Sequence, residues 1–167
     1  IELGTYEAIL YWKLYSQPAA VKNVCARIRS DPWVQERIVD ALGNIGQQLP
    51  RTLARDTSPV RGVFELLEQY RLGLYGMATS CALPTRSTLL HLLYPSTIPI
   101  FDKQVLRAVG IDEPAANTKH SVLFDYIEFA WETSEIPGLI PQDWKESPLR
   151  LLDMALWVLR GNEANWG

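Results

Sequence analysis

Cysteine and histidine are scarce in this chain, two of each in 167 residues, and neither forms a cluster. Cys25 and Cys81 belong to no Cys-x-x-Cys pair, and no histidine stands near either at ligand spacing. A zinc site or disulfide framework therefore has no residues to build it, and both thiols are read as reduced groups in or beside the core. No metal and no cofactor is expected. No apolar run reaches the roughly 18 residues that cross a bilayer. The first residues also lack the basic region, apolar stretch and small-residue cleavage site of a signal peptide. The expected setting is soluble and cytoplasmic, with no membrane partner.

Other absences narrow the chemistry. There is no GxGxxG, no GxxxxGK[ST], no GxSxG and no HExxH, so nucleotide-binding, serine-hydrolase and zinc-protease readings lack their anchors. No repeat of 20 to 50 residues and no low-complexity tract is present, which argues against a solenoid or a disordered tail. Sixteen basic residues against 19 acidic ones give a net charge of −3. That balance argues against a surface devoted to nucleic acid and leaves room for a local basic patch.

What is present is apolar periodicity of the helical kind. Val21, Val24, Cys25 and Ile28 recur at three- and four-residue spacing, and Ile9, Trp12 and Leu14 stand among good helix formers after Thr5. Ser30-Asp31-Pro32 is a restart signal, since aspartate accepts from free amides of the next turn and proline sits where no amide is needed. The helix that follows carries Trp33, Val34, Ile38, Val39, Leu42 and Ile45 and is expected to fray at Gly43 to Gly46. Ser58-Pro59 repeats the device and opens a helix running toward Tyr75. Residues 118–131 and 148–159 supply two more, the last apolar nearly all round and expected at the centre of the core. With no pair of alternating strands joined by a hairpin, the class is all-α: a compact bundle of about seven helices in a single domain over residues 1–167, with two lobes around a cleft as one arrangement.

The stretch Leu83 to Gly110 carries the functional argument. It reads as a buried helix over about Thr85 to Leu93, an extended link through Tyr94-Pro95-Ser96-Thr97-Ile98-Pro99-Ile100-Phe101, and a short helix opening at Asp102. An acid at a helix opening is a cap, or it is a catalyst. Near exposed amides and the positive end of the helix dipole it stays ionised, and an ionised carboxylate at a cleft can orient water or stabilise a developing cation. His91, alone among leucines, is read as a satisfied core group.

Leu83-Pro84, the apolar helix after it, and Pro99-Ile100-Phe101-Asp102 with Val105 and Arg107 resemble the helix-hairpin-helix DNA glycosylases. Leu90-His91, Pro99 to Asp102 and Leu152-Asp153-Met154-Ala155-Leu156-Trp157 are similar to a group of uncharacterised bacterial proteins resembling the 8-oxoguanine glycosylase fold. The resemblance implies a helix-hairpin-helix glycosylase-like fold, DNA as partner, and Asp102 as the catalytic carboxylate in hydrolysis of the N-glycosidic bond of a damaged or modified base. Pro84-Thr85-Arg86-Ser87 stands where that family has a Gly-x-Gly hairpin, and no lysine lies between Leu83 and Thr88, which points to a monofunctional, water-using reaction. Arg86, Arg107, Arg51 and Arg55 are the candidate phosphate contacts. Tyr70, Tyr75 and Trp144 are the candidate stacking residues beside a cleft. The competing reading is a non-catalytic helical module that makes protein contacts or weak DNA contacts.

Overall fold

A computed structural model describes residues 2–14, 18–70, 82–111 and 115–163. Among these residues there are eight α-helices and no strand: α1 (Leu3–Leu14), α2 (Pro18–Ser30), α3 (Pro32–Gln48), α4 (Thr57–Gln69), α5 (Ala82–Leu93), α6 (Lys103–Ala108), α7 (His120–Ser134) and α8 (Pro148–Glu163), with one 3₁₀ turn at Ala116–Thr118. The chain is an all-α, compact multi-helix bundle. Tyr75 and Cys81 lie outside the described residues.

The punctuation residues act as their chemistry dictates. Asp31 caps α3 by accepting from the amides of Trp33 and Val34, with Pro32 behind it. Its helix runs through Gly43 and Gly46 to Gln48, past the fraying expected there, because Ala41, Leu42 and Ile45 are buried and hold the last turns. The α4 cap is Asp56, which accepts from Ser58 N at 2.8 Å, so this helix begins before the serine that marked it. Gly110, at φ +81°, ends α6: Gly110 N donates to Arg107 O and Ile111 N to Leu106 O, a closure that needs a left-handed residue.

Side chains from all eight helices and the link before α6 meet in one contiguous apolar cluster, in which Tyr6, Ile38, Phe64, Leu90, Ile98, Phe101, Ile127 and Leu149 are almost wholly buried. One expectation fails at its edge. Helix α8 buries Leu149, Leu152 and Leu156 and leaves Trp157 and Val158 44% and 64% exposed, so it flanks the core instead of running through it. Trp12 of α1 is 46% exposed, since Tyr6, Ile9 and Leu10 make the inner face of that helix.

Candidate active site

The link from Tyr94 to Phe101 is non-helical, as its prolines require, and it is tied down from several directions. Thr97 donates from Oγ1 to Leu53 O at 2.7 Å, and Trp131 donates from Nε1 to Thr97 O at 2.6 Å. The Tyr94 hydroxyl donates to Pro50 O. Ser147, the cap of α8, accepts from Leu149 N and donates from Oγ to Pro95 O at 2.6 Å. At the far end Phe101 N donates to Ser87 Oγ at 3.0 Å, fixing the residue before Asp102 against α5.

Asp102 is thereby presented at the start of α6. Its Oδ1 accepts from Gln104 N at 2.8 Å and Val105 N at 3.1 Å, and its Oδ2 lies 2.9 Å from Lys13 Nζ on α1. The side chain of Lys13 is 12% exposed and that of Asp102 is 27% exposed. Burial, the largest single influence, pushes the Asp102 carboxyl up, but the Lys13 ammonium and the two amides together outweigh it and hold the group below its ordinary 3.8. The acid is both a cap and an ionised group with a quarter of its side chain open to solvent.

Behind it lies a second carboxylate. Asp153 on α8 is 2% exposed, and its Oδ2 is 2.8 Å from Nη1 of Arg150, one turn earlier. Burial pushes Asp153 up to about 6, with Arg150 opposing and the negative charge of Asp102 reinforcing the rise. Tyr126 on α7 is buried, and burial followed by the charges of Asp153 and Asp102 raises its hydroxyl well above the ordinary tyrosine value. The Tyr126 hydroxyl and Gln104 Oε1 are buried with no hydrogen-bond partner among the described residues. The cluster thus separates two acids, one held ionised and one held close to neutral pH.

Lys13 and Asp153 were not among the candidates that sequence reasoning produced. A lone acid in the apolar run Leu151-Leu152-Asp153-Met154-Ala155-Leu156 is a signal that could have flagged Asp153, because an unpaired buried carboxylate is costly. Lys13 carries no such signal; only the crossing of α1 brings it to α6.

The candidate DNA contacts scatter. Leu83-Pro84-Thr85-Arg86-Ser87 is not a hairpin: it forms the first turns of α5, where proline costs no hydrogen bond, and Ser87 and Thr88 hydroxyls both lie 2.9 Å from Pro84 O. Arg86 is 2% exposed, with Nη1 3.8 Å from Glu68 of α4, and burial, partly offset by Glu68 and Tyr6, lowers its pKa. It points into the protein. Arg55 donates from Nε to Ser96 O at 3.1 Å and pairs with Glu135 at 2.8 Å, so it braces the link. Arg51 and Arg107 are exposed. Tyr70 is half-buried and accepts at its hydroxyl from Gln48 Nε2, and Trp144, also half-buried, donates to Ser147 O. Neither is placed at Asp102 by any contact.

Among the described residues no group of three or more histidine, cysteine, aspartate or glutamate side chains could hold a metal ion, and no helix is long and apolar enough to cross a membrane. Compared with family models, with curated proteins and with solved structures, the chain gives no match.

Proposed function

We propose that the protein is a cytoplasmic DNA-binding hydrolase of the glycosylase type, which cleaves the N-glycosidic bond of a damaged or modified base with Asp102 as its catalytic carboxylate. The observation that carries this reading is the anchoring of Asp102: one oxygen held by two backbone amides, the other by Lys13, and part of the side chain still open. Hydrolysis breaks the bond between C1′ and the base nitrogen, with the electron pair leaving on the base. The oxygen of water then bonds to C1′, and a proton of that water ends on the base. C1′ is cationic in between, and a carboxylate fixed by two amides and Lys13 stabilises that charge without reorganising. A group held below 3.8 is a weak proton acceptor at neutral pH, so the assignment is to cation stabilisation and orientation of water before proton abstraction. Arg51 and Arg107, the exposed members of the arginine set, are assigned to the phosphate backbone.

The test uses duplexes carrying a panel of base lesions. Free base is expected from the native protein, and Asp102→Asn is expected to slow its release by about 10²–10³-fold. Undiminished release by Asp102→Asn overturns the proposal. A second reading, a non-catalytic module with protein or weak DNA contacts, is favoured by two observations: the helical course of 82–93 and the burial of Arg86 remove the hairpin grip. It predicts no base release and, in its protein-contact form, no affinity for duplex or single strand, whereas a DNA-binding enzyme shows base release and an affinity that falls steeply with salt.

A further inference from the structure

Beside the carboxylate cluster, with which it shares Arg150, a groove of about 840 Å³ runs between α1, α5 and the start of α8, and its walls include Ile9, Trp12, Leu89, Leu92 and Ile100. That volume is in the range of sites that bury a small organic molecule, roughly 300–1,000 Å³. The walls are apolar, and Trp12 offers an indole face that is 46% exposed. Such a surface favours a flat, largely apolar ring.

Among the polar residues that line this groove, with Thr5, Glu146, Ser147 and Arg150, is His91. The residue is 3% exposed, lines the groove, and uses Nδ1 on Ile98 O at 2.7 Å. A carbonyl can only accept, so Nδ1 carries the hydrogen, and in a neutral ring Nε2 is then a bare acceptor. Burial, with Arg150 adding to it and the Ile98 bond opposing, lowers the His91 pKa, so the ring is neutral at pH 7. No other hydrogen bond to the ring is made among the described residues. An acceptor on a ring that lines an apolar-walled groove is a recognition element, because a ligand without a donor displaces water from it and replaces no hydrogen bond.

We propose that this groove binds a neutral, aromatic small molecule carrying one N–H or O–H donor, of the phenol or indole class, stacked on Trp12 and donating to Nε2 of His91. The charges at the groove favour a neutral occupant: Arg150 is already paired with Asp153 at 2.8 Å, and Glu146 adds a negative group to the lining. Glu146 also disfavours a base carried on a phosphate backbone, so the occupant is a free molecule.

The experiment is calorimetric titration of the whole chain with 1-naphthol and with 1-methoxynaphthalene, which share a ring system and differ in the donor. Native protein is expected to bind naphthol about tenfold more tightly, the worth of one buried hydrogen bond. His91→Phe is expected to bind the two probes equally. Trp12→Ala, at an exposed position, is expected to weaken both by a similar factor and to keep the preference for naphthol. Equal affinity of the native protein for the two probes, no binding of either, or displacement of bound naphthol by duplex DNA overturns the proposal.

Discussion

The starts of α5 and α6 look alike in sequence and end in opposite environments. Each mixes apolar residues with a basic side chain and a group able to bond backbone. Yet every side chain from Ala82 to His91 is buried, whereas at α6 Lys103 and Arg107 are exposed and Asp102 keeps part of its surface in solvent. The difference comes from what arrives through space. Glu68 of α4 reaches Arg86, and Phe101 N closes on Ser87, so the polar groups of the first start are spent inside the protein. At the second start the partner that arrives is Lys13, which neutralises a charge without covering it. One start is a packing device that holds the link; the other is a charge held in place by it.

The comparison can be broken most forcefully at its packed end. Leu90, with no exposed surface, anchors α5 in the core, and Leu90→Ala is expected to cost about 3 kcal/mol of stability in chemical denaturation. Asp102→Asn, measured the same way, is expected to cost less than half of that, because asparagine keeps a capping oxygen. Equal losses would mean that the opening of α6 is as much a packing element as α5.

The two carboxylates sharpen the contrast through pH. Asp153 is raised from 3.8 to about 6 in the folded protein, so the folded state holds an extra proton between those values. Its stabilising contribution is complete below 3.8 and is lost as pH rises through about 6, a decline on the order of 3 kcal/mol. Asp102 has the opposite sign: its folded value lies below 3.8, so its contribution is present above 3.8 and is lost as pH falls through the folded value. Stability curves between pH 3 and 8 for the native chain and Asp153→Asn check this, and the variant is expected to lose the decline toward pH 6.

The smallest effect is expected at the pair that joins the helices. Lys13→Met keeps the length of the side chain and removes its charge. It is expected to cost about 1 kcal/mol in denaturation, since the pair is part-buried and Asp102 keeps its two amides. A loss as large as that of Leu90→Ala would show that α1 is held by this ion pair and not by Tyr6, Ile9 and Leu10.

The legible part of the molecule was local. Asp31-Pro32, Ser147-Pro148, the prolines of the link and the acid at residue 102 announce helix boundaries because caps and prolines act within one turn. What stayed hidden depends on partners far along the chain. The Pro-Thr-Arg-Ser run stands where the resemblance puts a hairpin, and Arg86 reads as a phosphate contact until α4 and the link close over it. The exposed faces of Trp12, Trp157 and Val158 carry the same apolar letters as the core, so composition could not tell which side of α1 or α8 turns inward. For the candidate site, Asp102 was visible and its counter-ion was not, since nothing near residue 13 marks it as the neighbour of residue 102.

The claim on which the account turns is that one acid is held ionised at the opening of α6 while its buried neighbour is held near neutral pH. A carbon-detected NMR titration of the side-chain carboxyls of the native protein tests it directly. The account predicts that Asp102 titrates below 3.8, that Asp153 titrates near 6, and that Lys13→Met moves Asp102 upward. Asp102 titrating above 3.8 in the native chain, or failing to respond to the loss of Lys13, would contradict it.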